Sequence, residues 1–442
     1  MDLDPLLLSR IQFALTVGFH FIFPPISIGL AWLVVILEWL GWRRNDEDYV
    51  RAGQFFGKIL GLTFVVGVAT GIVMEFQFGT NWAEYSKFVG DVFGAPLAAE
   101  AIFAFFLEST FLGVYLFGRN KVSKSVHWFS ALIVAIGSVL SAFWIIVANS
   151  WQQTPAGHTI RGGRAELIDF WAAVFNPSTL ARFSHTLIGC LIAGAFLVTG
   201  ISAWLILKNK SMEIARKTLY IAMIFGLVAS IMALFPTGHQ HAAQVARTQP
   251  EKLAAMEGLI RGQSSAPLTI FGIPNEDPLS LDYAVAIPGL LSWLAADDFD
   301  AFVPGLEDLE EAGHPTPPFA ITFISFHTMV ALGIFFIAMT AIGTILLVRK
   351  KLHRTSWYLK TLVWSIPLPI IACELGWIVA EVGRQPWVVY RLLKTADAHS
   401  TNVSGGEILS SIILFGFVYL VLGALYVFLL AGKVKQGPEP IT

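Results

Sequence analysis

The chain has 442 residues, of which 55% are hydrophobic and 14% charged, whereas about 25% of the residues of an ordinary soluble domain are charged. The formal net charge is −2, so the chain lacks the basic surplus that nucleic-acid binding needs, and this function is set aside. The apolar residues form blocks of about 20 or more, the length that crosses a hydrocarbon core about 30 Å thick. The composition therefore predicts a membrane protein that crosses the lipid bilayer several times.

Nine such blocks predict an all-α fold, a polytopic membrane bundle of nine transmembrane helices. An odd number of spans puts the two termini on opposite sides of the membrane. Lysine and arginine are concentrated in alternate connections, as in cytoplasmic loops, so we expect the N-terminus outside and the C-terminus in the cytoplasm. The predicted spans cover residues 12–40, 55–75, 94–118, 126–148, 183–207, 217–236, 319–348, 359–381 and 407–431.

The longest connection, residues 236–318, is predicted to lie on the outer side and divides the chain into three parts. Residues 1–235 contain the first six spans, and residues 319–442 contain the last three. A loop of this length is usually either functional or disordered. The stretch 249–257 is rich in helix-forming residues, which favours an ordered and functional loop.

Ionisable and metal-ligating side chains occur inside the predicted spans, where such residues are costly and tend to mark cofactors, ion paths or substrate sites. With the orientation above, five of them lie in the outer half of the membrane and come from five different helices. A buried cofactor site shared by these helices is the economical explanation of their common depth. The five residues are His20, Glu100, His185, Met329 and Glu374.

Histidine and methionine together are a familiar axial pair for low-spin haem, because the thioether raises the reduction potential of the iron. His185 and Met329 have equivalent depths and would suit this role, although a lone histidine can simply bond a neighbouring helix and a methionine is more often packing. Glu100 and Glu108 are eight residues apart, about 2.2 turns and about 12 Å along one face of a regular helix. This spacing suits a proton relay, and the alternative is that each carboxylate only bonds a neighbouring helix.

Four blocks of sequence stand out around these polar residues. They are Ser9-Arg10-Ile11-Gln12-Phe13-Ala14 leading to His20, Gly67-Val68-Ala69-Thr70-Gly71 followed by Met74-Glu75-Phe76-Gln77-Phe78-Gly79-Thr80-Asn81-Trp82, residues 94–110 with both glutamates, and Gly383-Arg384-Gln385-Pro386-Trp387 after the eighth span. Together they resemble subunit I of the cytochrome bd-type quinol oxidases, and the resemblance covers nearly the whole chain. The outer loop is of the short form, and Gly238-His239-Gln240-His241 resembles the cyanide-insensitive branch of that family.

The resemblance implies a terminal quinol:oxygen oxidoreductase of the bacterial cytoplasmic membrane that oxidises quinol at the outer face and reduces oxygen to water with cytoplasmic protons. His185 and Met329 would be the axial ligands of a low-spin haem b. His20 and Glu374 would each ligate one of two high-spin haems, which are either haem b and haem d or haem b in both sites. The resemblance also implies a second membrane subunit, and it allows a small single-span subunit.

Further roles are implied by the same resemblance. Glu100 would lie beside the oxygen-reducing haem, and Glu108, together with Ser141, would deliver protons from the cytoplasm. Two other classes of function compete with this one. A proton-coupled transporter would use Glu100, Glu108 and His20 as its substrate site and would show inverted repeats, and a non-oxidase quinol:cytochrome reductase would need haems spanning both faces. The sequence shows no such repeat, and its polar groups cluster toward one face, which favours the oxidase.

In the outer loop, Lys252 and Glu257 would form the quinol site, with the acid taking the proton of the quinol hydroxyl. Arg10, a cation at a depth close to that of the haem ligands, would pair with haem propionates. Two positions depart from the pattern of the family. His327 stands two residues before Met329, where many members have arginine, and Ile370 stands four residues before Glu374, where tryptophan is common.

Overall fold

A computed structural model of the chain describes residues 3–439. Within this range, nine helical segments are long and apolar enough to cross a membrane, so the predicted all-α membrane bundle is confirmed. Residues 1–2 and 440–442, at the ends of the first and third predicted parts of the chain, lie outside the described residues.

The elements follow one another in a simple order. Up to residue 248 they are α1 (Pro5–Phe21), α2 (Phe23–Arg44), α3 (Glu47–Thr80), α4 (Ala83–Ala99), a π-helix (Glu100–Phe105), α5 (Phe106–Phe117), α6 (Lys124–Gln153), β1 (His158–Arg161), β2 (Arg164–Leu167), α7 (Phe170–Val174), α8 (Thr179–Leu207), α9 (Met212–Leu234) and α10 (Thr237–Thr248). From residue 249 onwards they are α11 (Pro250–Glu257), β3 (Gln263–Ser264), β4 (Leu268–Glu276), β5 (Leu279–Ile287), α12 (Leu290–Ala296), β6 (Phe302–Val303), α13 (Leu306–Glu311), α14 (Phe319–Val348), a 3-10 helix (Leu352–Arg354), α15 (Ser356–Trp364), α16 (Leu368–Val382), β7 (Trp387–Val389), β8 (Leu393–Lys394), a second 3-10 helix (Thr395–Asp397) and α17 (Gly405–Gln436).

Several spans are built from more than one helix. α1 and α2 form the first span, α4, the π-helix and α5 form the third, α9 and α10 form the sixth, and α15 and α16 form the eighth. The strands of the described residues form four antiparallel two-stranded sheets, in the pairings β1–β2, β3–β6, β4–β5 and β7–β8. All of these sheets lie in the connections, so they do not alter the helical character of the bundle.

The sixth span is longer than predicted. α9 ends at Leu234, and after Pro236 the chain continues as α10 to Thr248, although the predicted end was residue 236. α10 is too polar for hydropathy to include it in a span, which is why it was assigned to the loop. The stretch 249–257 is ordered as predicted, and α11 begins at Pro250, where proline suits the first helical turn.

The centre of the bundle is α8. In its most apolar stretch, 83% of the residues are buried within the chain, against 11% for α17, which therefore lies at the periphery. α2 packs against α8 at very short distance because glycines face each other. A Cβ added to Gly29 would lie 2.1 Å from the carbonyl oxygen of Cys190 and 2.7 Å from the amide nitrogen of Gly194. Such contact between small residues is how helices pack closely in membranes.

We expect Gly194→Ala to destabilise the protein by about 1–3 kcal/mol, the usual cost of forcing an extra methyl group into a packed core. The new Cβ would lie 2.2 Å from the carbonyl carbon of Gly29, so α2 and α8 would have to separate. Thermal unfolding of the purified protein in detergent measures the effect. Gly113→Ala in α5 is the control, because nothing lies within 4 Å of its added Cβ and alanine favours a helix. Equal unfolding temperatures for the two variants would contradict the close packing.

Candidate functional site

The middle of α16 lies where several other spans meet. A Cβ added to Gly18 of α1 would lie 3.7 Å from Oε2 of Glu374, and a Cβ added to Gly376 would lie 3.0 Å from Sδ of Met329 in α14. α16 also packs against α8, the helix that carries His185. Glu374 and Met329 therefore lie where α1 and α14 meet α16, and the helices that carry His20 and His185 both reach α16.

The hydrogen bonds of His20 define its tautomer. Nδ1 of His20 lies 3.0 Å from Oγ1 of Thr70, and this hydroxyl lies 3.0 Å from the carbonyl oxygens of both Val66 and Gly67. A threonine hydroxyl has one proton, and it donates this proton to a carbonyl, so it can only accept from the imidazole. Nδ1 therefore carries the hydrogen and Nε2 has the free lone pair, which is the usual arrangement of a metal-ligating histidine.

His185 has the same kind of partner. Its Nδ1 lies 3.4 Å from Oγ1 of Thr237 in α10, and that hydroxyl donates to the carbonyl oxygen of Met232 at 2.7 Å. The same reasoning leaves Nε2 of His185 as the free nitrogen. The ring of His241 packs beside it, with 5.5 Å between the ring centroids.

These side chains fit a haem cofactor. Among the described residues, Oε1 of Glu374 is one of the buried oxygens that have no hydrogen-bond partner, as expected of an atom reserved for a ligand. Imidazole nitrogens and a methionine sulfur are established haem ligands, and a carboxylate oxygen is also able to bind iron. Glycine at positions 18 and 376 leaves space beside Glu374 and Met329.

The two acids of the third span both face α6. Oγ of Ser141 donates to Oε1 of Glu100 at 2.7 Å, and a Cβ added to Gly137, one turn earlier, would lie 3.1 Å from Cβ of Glu108. The regular helix assumed between the two acids is wrong, because Glu100–Phe105 is a π-helix that follows Pro96. Such π-helical turns are frequent at functional sites. The hydrogen bond of Ser141 is with Glu100, whereas the sequence had grouped Ser141 with Glu108.

Glu75 is a third acid of this region that sequence reasoning missed. It lies within electrostatic range of Glu100, which in turn interacts with Glu108. Its side chain is exposed on α3, on the same helix as Thr70 beside His20. Glu75 is the last residue of the predicted second span, so a charge at that boundary was the available signal.

Lys252 and Glu257 are both 2% exposed, but they have different partners. Nζ of Lys252 donates to Oε1 of Gln153 at 2.6 Å and to the carbonyl oxygen of Ala380 at 3.1 Å. Burial, together with the charges of two nearby arginines, lowers the pKa of Lys252 well below its ordinary value. Lys252 is thus part of a polar cluster between α6, α11 and α16.

Glu257 lies at the end of α11 beside β4. Its carboxylate accepts a hydrogen bond from the backbone amide of Thr269, and its Oε2 is buried without a partner among the described residues. Burial raises the pKa of Glu257 to about 8. His327 also contacts Thr269. Its Nε2 lies 3.1 Å from the carbonyl oxygen of Thr269, and its ring stacks on Phe323. Thr269 therefore links Glu257 to His327, the position where many members of the family have arginine.

A buried ionic cluster near Lys252 was also missed. Arg182 donates to Oδ1 of Asn149, whose Nδ2 donates to Oε1 of Glu381 at 2.9 Å, and Arg384 donates to the other oxygen of Glu381. Arg182 lies one turn from His185 and just before the predicted start of the fifth span. It was missed because a charged residue at the boundary of a span is ordinary. Arg10, in contrast, is exposed on α1, and Ile370 packs against the main apolar core.

Fold and site together define a polytopic membrane protein with half-buried histidine, methionine and carboxylate groups suited to iron. Residues 8–438 match the family described as cytochrome bd terminal oxidase subunit I. The chain is 42% identical to the cytochrome bd ubiquinol oxidase subunit 1 of Bacillus subtilis (strain 168), covering 99% of this chain and 95% of that one. It is 36% identical to the cytochrome bd-II ubiquinol oxidase subunit 1 of Escherichia coli (strain K12), covering 99% and 97%.

A solved structure of a bd oxidase has the same fold. The bd oxidase from Geobacillus thermodenitrificans superposes with a TM-score of 0.93 at 34% identity, over 99% of this chain and 100% of that one. The chain therefore belongs to the cytochrome bd terminal oxidase subunit I family. Membership implies haem cofactors and a multi-pass membrane protein of respiration, and it does not favour the transporter or the non-oxidase reductase.

Proposed function

We propose that this chain is the subunit of a terminal oxidase that oxidises quinol on the outer side of a bacterial cytoplasmic membrane and supports the reduction of oxygen to water. The observation that carries the proposal is the pair of histidines on different helices, His20 and His185, each with Nδ1 held by a threonine hydroxyl and Nε2 free. Two such histidines, near a methionine and a carboxylate, match haem ligation better than a transport site. The relatives' names point to quinol as the electron donor.

Each ligand has a proposed place. His185 and Met329 would hold a low-spin haem b between α8 and α14, and His20 and Glu374 would each hold one of two high-spin haems. Bound haem supplies electron transfer and the chemistry of oxygen. The protein supplies the orientation, because Thr70 and Thr237 fix the two imidazole rings. Haem b in both high-spin sites, or haem b with haem d, fits these ligands equally.

On the proton side, Glu108 and Glu100 would pass protons from the cytoplasm towards the oxygen-reducing site. Both face α6, and Ser141 holds Glu100 at 2.7 Å. Protons taken from the inside while quinol releases its protons outside would separate charge across the membrane. Because protons are consumed from one side and released on the other, this arrangement requires no further pump.

A second membrane subunit would cover the face of α3 around Glu75. This carboxylate is exposed inside a span, next to Ile72 and Phe76, which are 55% and 66% exposed. Lipid chains cannot solvate a carboxylate, so a protein partner with polar groups at this depth suits the surface better.

Quinol oxidation is expected to become faster as the pH rises toward 8 and to level off above it. Glu257 can accept the proton of a quinol hydroxyl only as a carboxylate, and burial raises its pKa to about 8. Below that pH the acid form dominates and the accepting fraction falls. Glu257→Gln should remove this rising limb and slow quinol oxidation about 100-fold, the usual contribution of a positioned base.

The measurement is the steady-state rate of quinol oxidation between pH 6 and 9, at a quinol concentration that saturates each variant. Glu310→Gln, an exposed acid of the same outer loop, is the control and should keep the wild-type profile. A profile that is unchanged in Glu257→Gln would remove this residue from the quinol site.

The proposed function as a whole is tested by the purified complex. We expect a coloured preparation whose pyridine haemochrome assay finds haem b, and which consumes one oxygen molecule for every two quinols oxidised. A colourless preparation, or haem without quinol-dependent oxygen consumption, would contradict the proposal.

A further inference from the structure

The buried ionic cluster formed by residues of α6, α8, α11 and the end of α16 contains more basic than acidic side chains. Its cations are Arg182, Lys252 and Arg384, which are 8%, 2% and 4% exposed, and its carboxylate is Glu381. With all three basic groups protonated, the cluster would carry two positive charges without a counter-charge. Buried ions are costly unless they are paired, so the cluster calls for an anionic ligand.

The neighbouring acid does not supply this charge. Glu251 on α11 accepts from Arg391 at 2.9 Å and from the hydroxyl of Tyr390 at 2.8 Å, and it lies 3.1 Å from His314. It is therefore already paired with a cation of its own. Burial first, and then the charges of Arg182 and Arg384, lower the pKa of Lys252, so the cluster does not hold all three basic groups charged without a further anion.

Donor atoms of the cluster also lack acceptors. Nε of Arg182 and Nη1 of Arg384 are both buried and have no hydrogen-bond partner within residues 3–439. The partners that do exist are amides and carbonyls apart from Glu381, namely Asn149, Gln153, Ala380 and the carbonyl oxygen of Trp387. Two unused guanidinium donors on different elements suit a ligand with two acidic groups.

The position along the helices indicates which ligand this is. Arg182 precedes His185 by three residues, about 4.5 Å along α8. Glu381 follows Glu374 by seven residues, about 10.5 Å along α16, so the cluster is closer to the proposed low-spin site than to the carboxylate ligand. A haem carries two propionates, which would balance the two positive charges of the cluster with Lys252 protonated.

We infer that Arg182, Lys252 and Arg384 bind the two propionates of the low-spin haem held by His185 and Met329. The inference rests on the proposed function, because it assumes a haem at that site. It gives Lys252 a role at the haem propionates, beyond the quinol contact that the resemblance implied. It also assigns the propionates to buried cations of the bundle, while Arg10 is exposed on α1.

The test is a redox titration of the purified complex carrying Arg182→Gln or Arg384→Gln. Loss of a positive charge beside the propionates makes the oxidised iron relatively more stable, so the midpoint potential of the low-spin haem should shift downward in both variants. Arg182→Lys and Arg384→Lys keep the charge and should stay near the wild-type potential. Arg391→Gln is the control, because Arg391 is half exposed and pairs with Glu251, and it should produce a much smaller shift.

Each outcome decides something. An unchanged low-spin potential in both glutamine variants, or a shift confined to the high-spin haems, would overturn the inference while leaving the proposed function intact. If the glutamine variants lose haem, recovery of the low-spin spectrum in the lysine variants supports binding by charge, and continued loss in folded protein contradicts it. A wild-type complex without haem would instead overturn the proposed function.

Discussion

Replacing Met329 by leucine should abolish the low-spin haem signal in the reduced-minus-oxidised spectrum and reduce quinol-driven oxygen consumption to near background. Leucine has a similar volume, so packing is nearly preserved, and the thioether that would ligate the iron is lost. Sδ of Met329 faces Gly376, where an added Cβ would lie only 3.0 Å away, so this side chain is held close to α16. The absorbance spectrum, together with the haem content, measures the effect.

Met339→Leu is the matched control for this substitution. Met339 lies on the same helix, is 5% exposed, and belongs to the apolar core. The same exchange there should leave both the spectrum and the turnover unchanged. If the complex with Met329→Leu retained its low-spin signal, the methionine would not be an axial ligand, and another residue would have to take that place.

The second large effect is expected for Glu108→Gln, which should slow turnover by about 100-fold or more. Glutamine preserves the size and hydrogen bonding of the side chain but cannot release a proton, and a positioned acid or base contributes about 10²- to 10⁴-fold. Glu108 is 6% exposed, packs against Gly137 of α6 and interacts with Glu100. Oxygen consumption and the membrane potential generated in proteoliposomes are the two measurements.

Glu84→Gln is the control, since Glu84 lies near the start of the same span and pairs with Lys87 at 2.6 Å at the surface. Loss of the Glu84 carboxylate should change neither oxygen consumption nor membrane potential, because an exposed ion pair contributes little to the stability of the protein. Wild-type turnover and membrane potential in Glu108→Gln would show that protons reach the oxygen-reducing site by another route.

Much of the fold could be predicted because hydropathy is a local property. A block of apolar residues must form a helix in lipid, where every backbone group needs a partner within the segment. All nine spans were located in this way. The same local logic failed at α10, which continues the sixth span with polar residues, and at Glu100–Phe105, where the helix changes to a π-helix.

The candidate site was predicted only as far as single residues could mark it. His20, His185 and Glu374 were recognisable as ionisable residues inside predicted spans, and Met329 as a partner of suitable type. The roles of these residues remain predictions. Glu75, at the edge of a span, and Arg182, just before one, were missed because a charge near a boundary is ordinary.

What the sequence by itself determined is therefore the number of spans and the family, whereas the common depth of the polar residues stays a prediction. Only the tertiary structure decided which of those residues meet, because the contacts join distant parts of the chain. Asn149 bonds Glu381, which is 232 residues away, and Lys252 bonds Ala380 across 128 residues. The tautomers of His20 and His185 depend likewise on threonines of other helices, which no local pattern can identify.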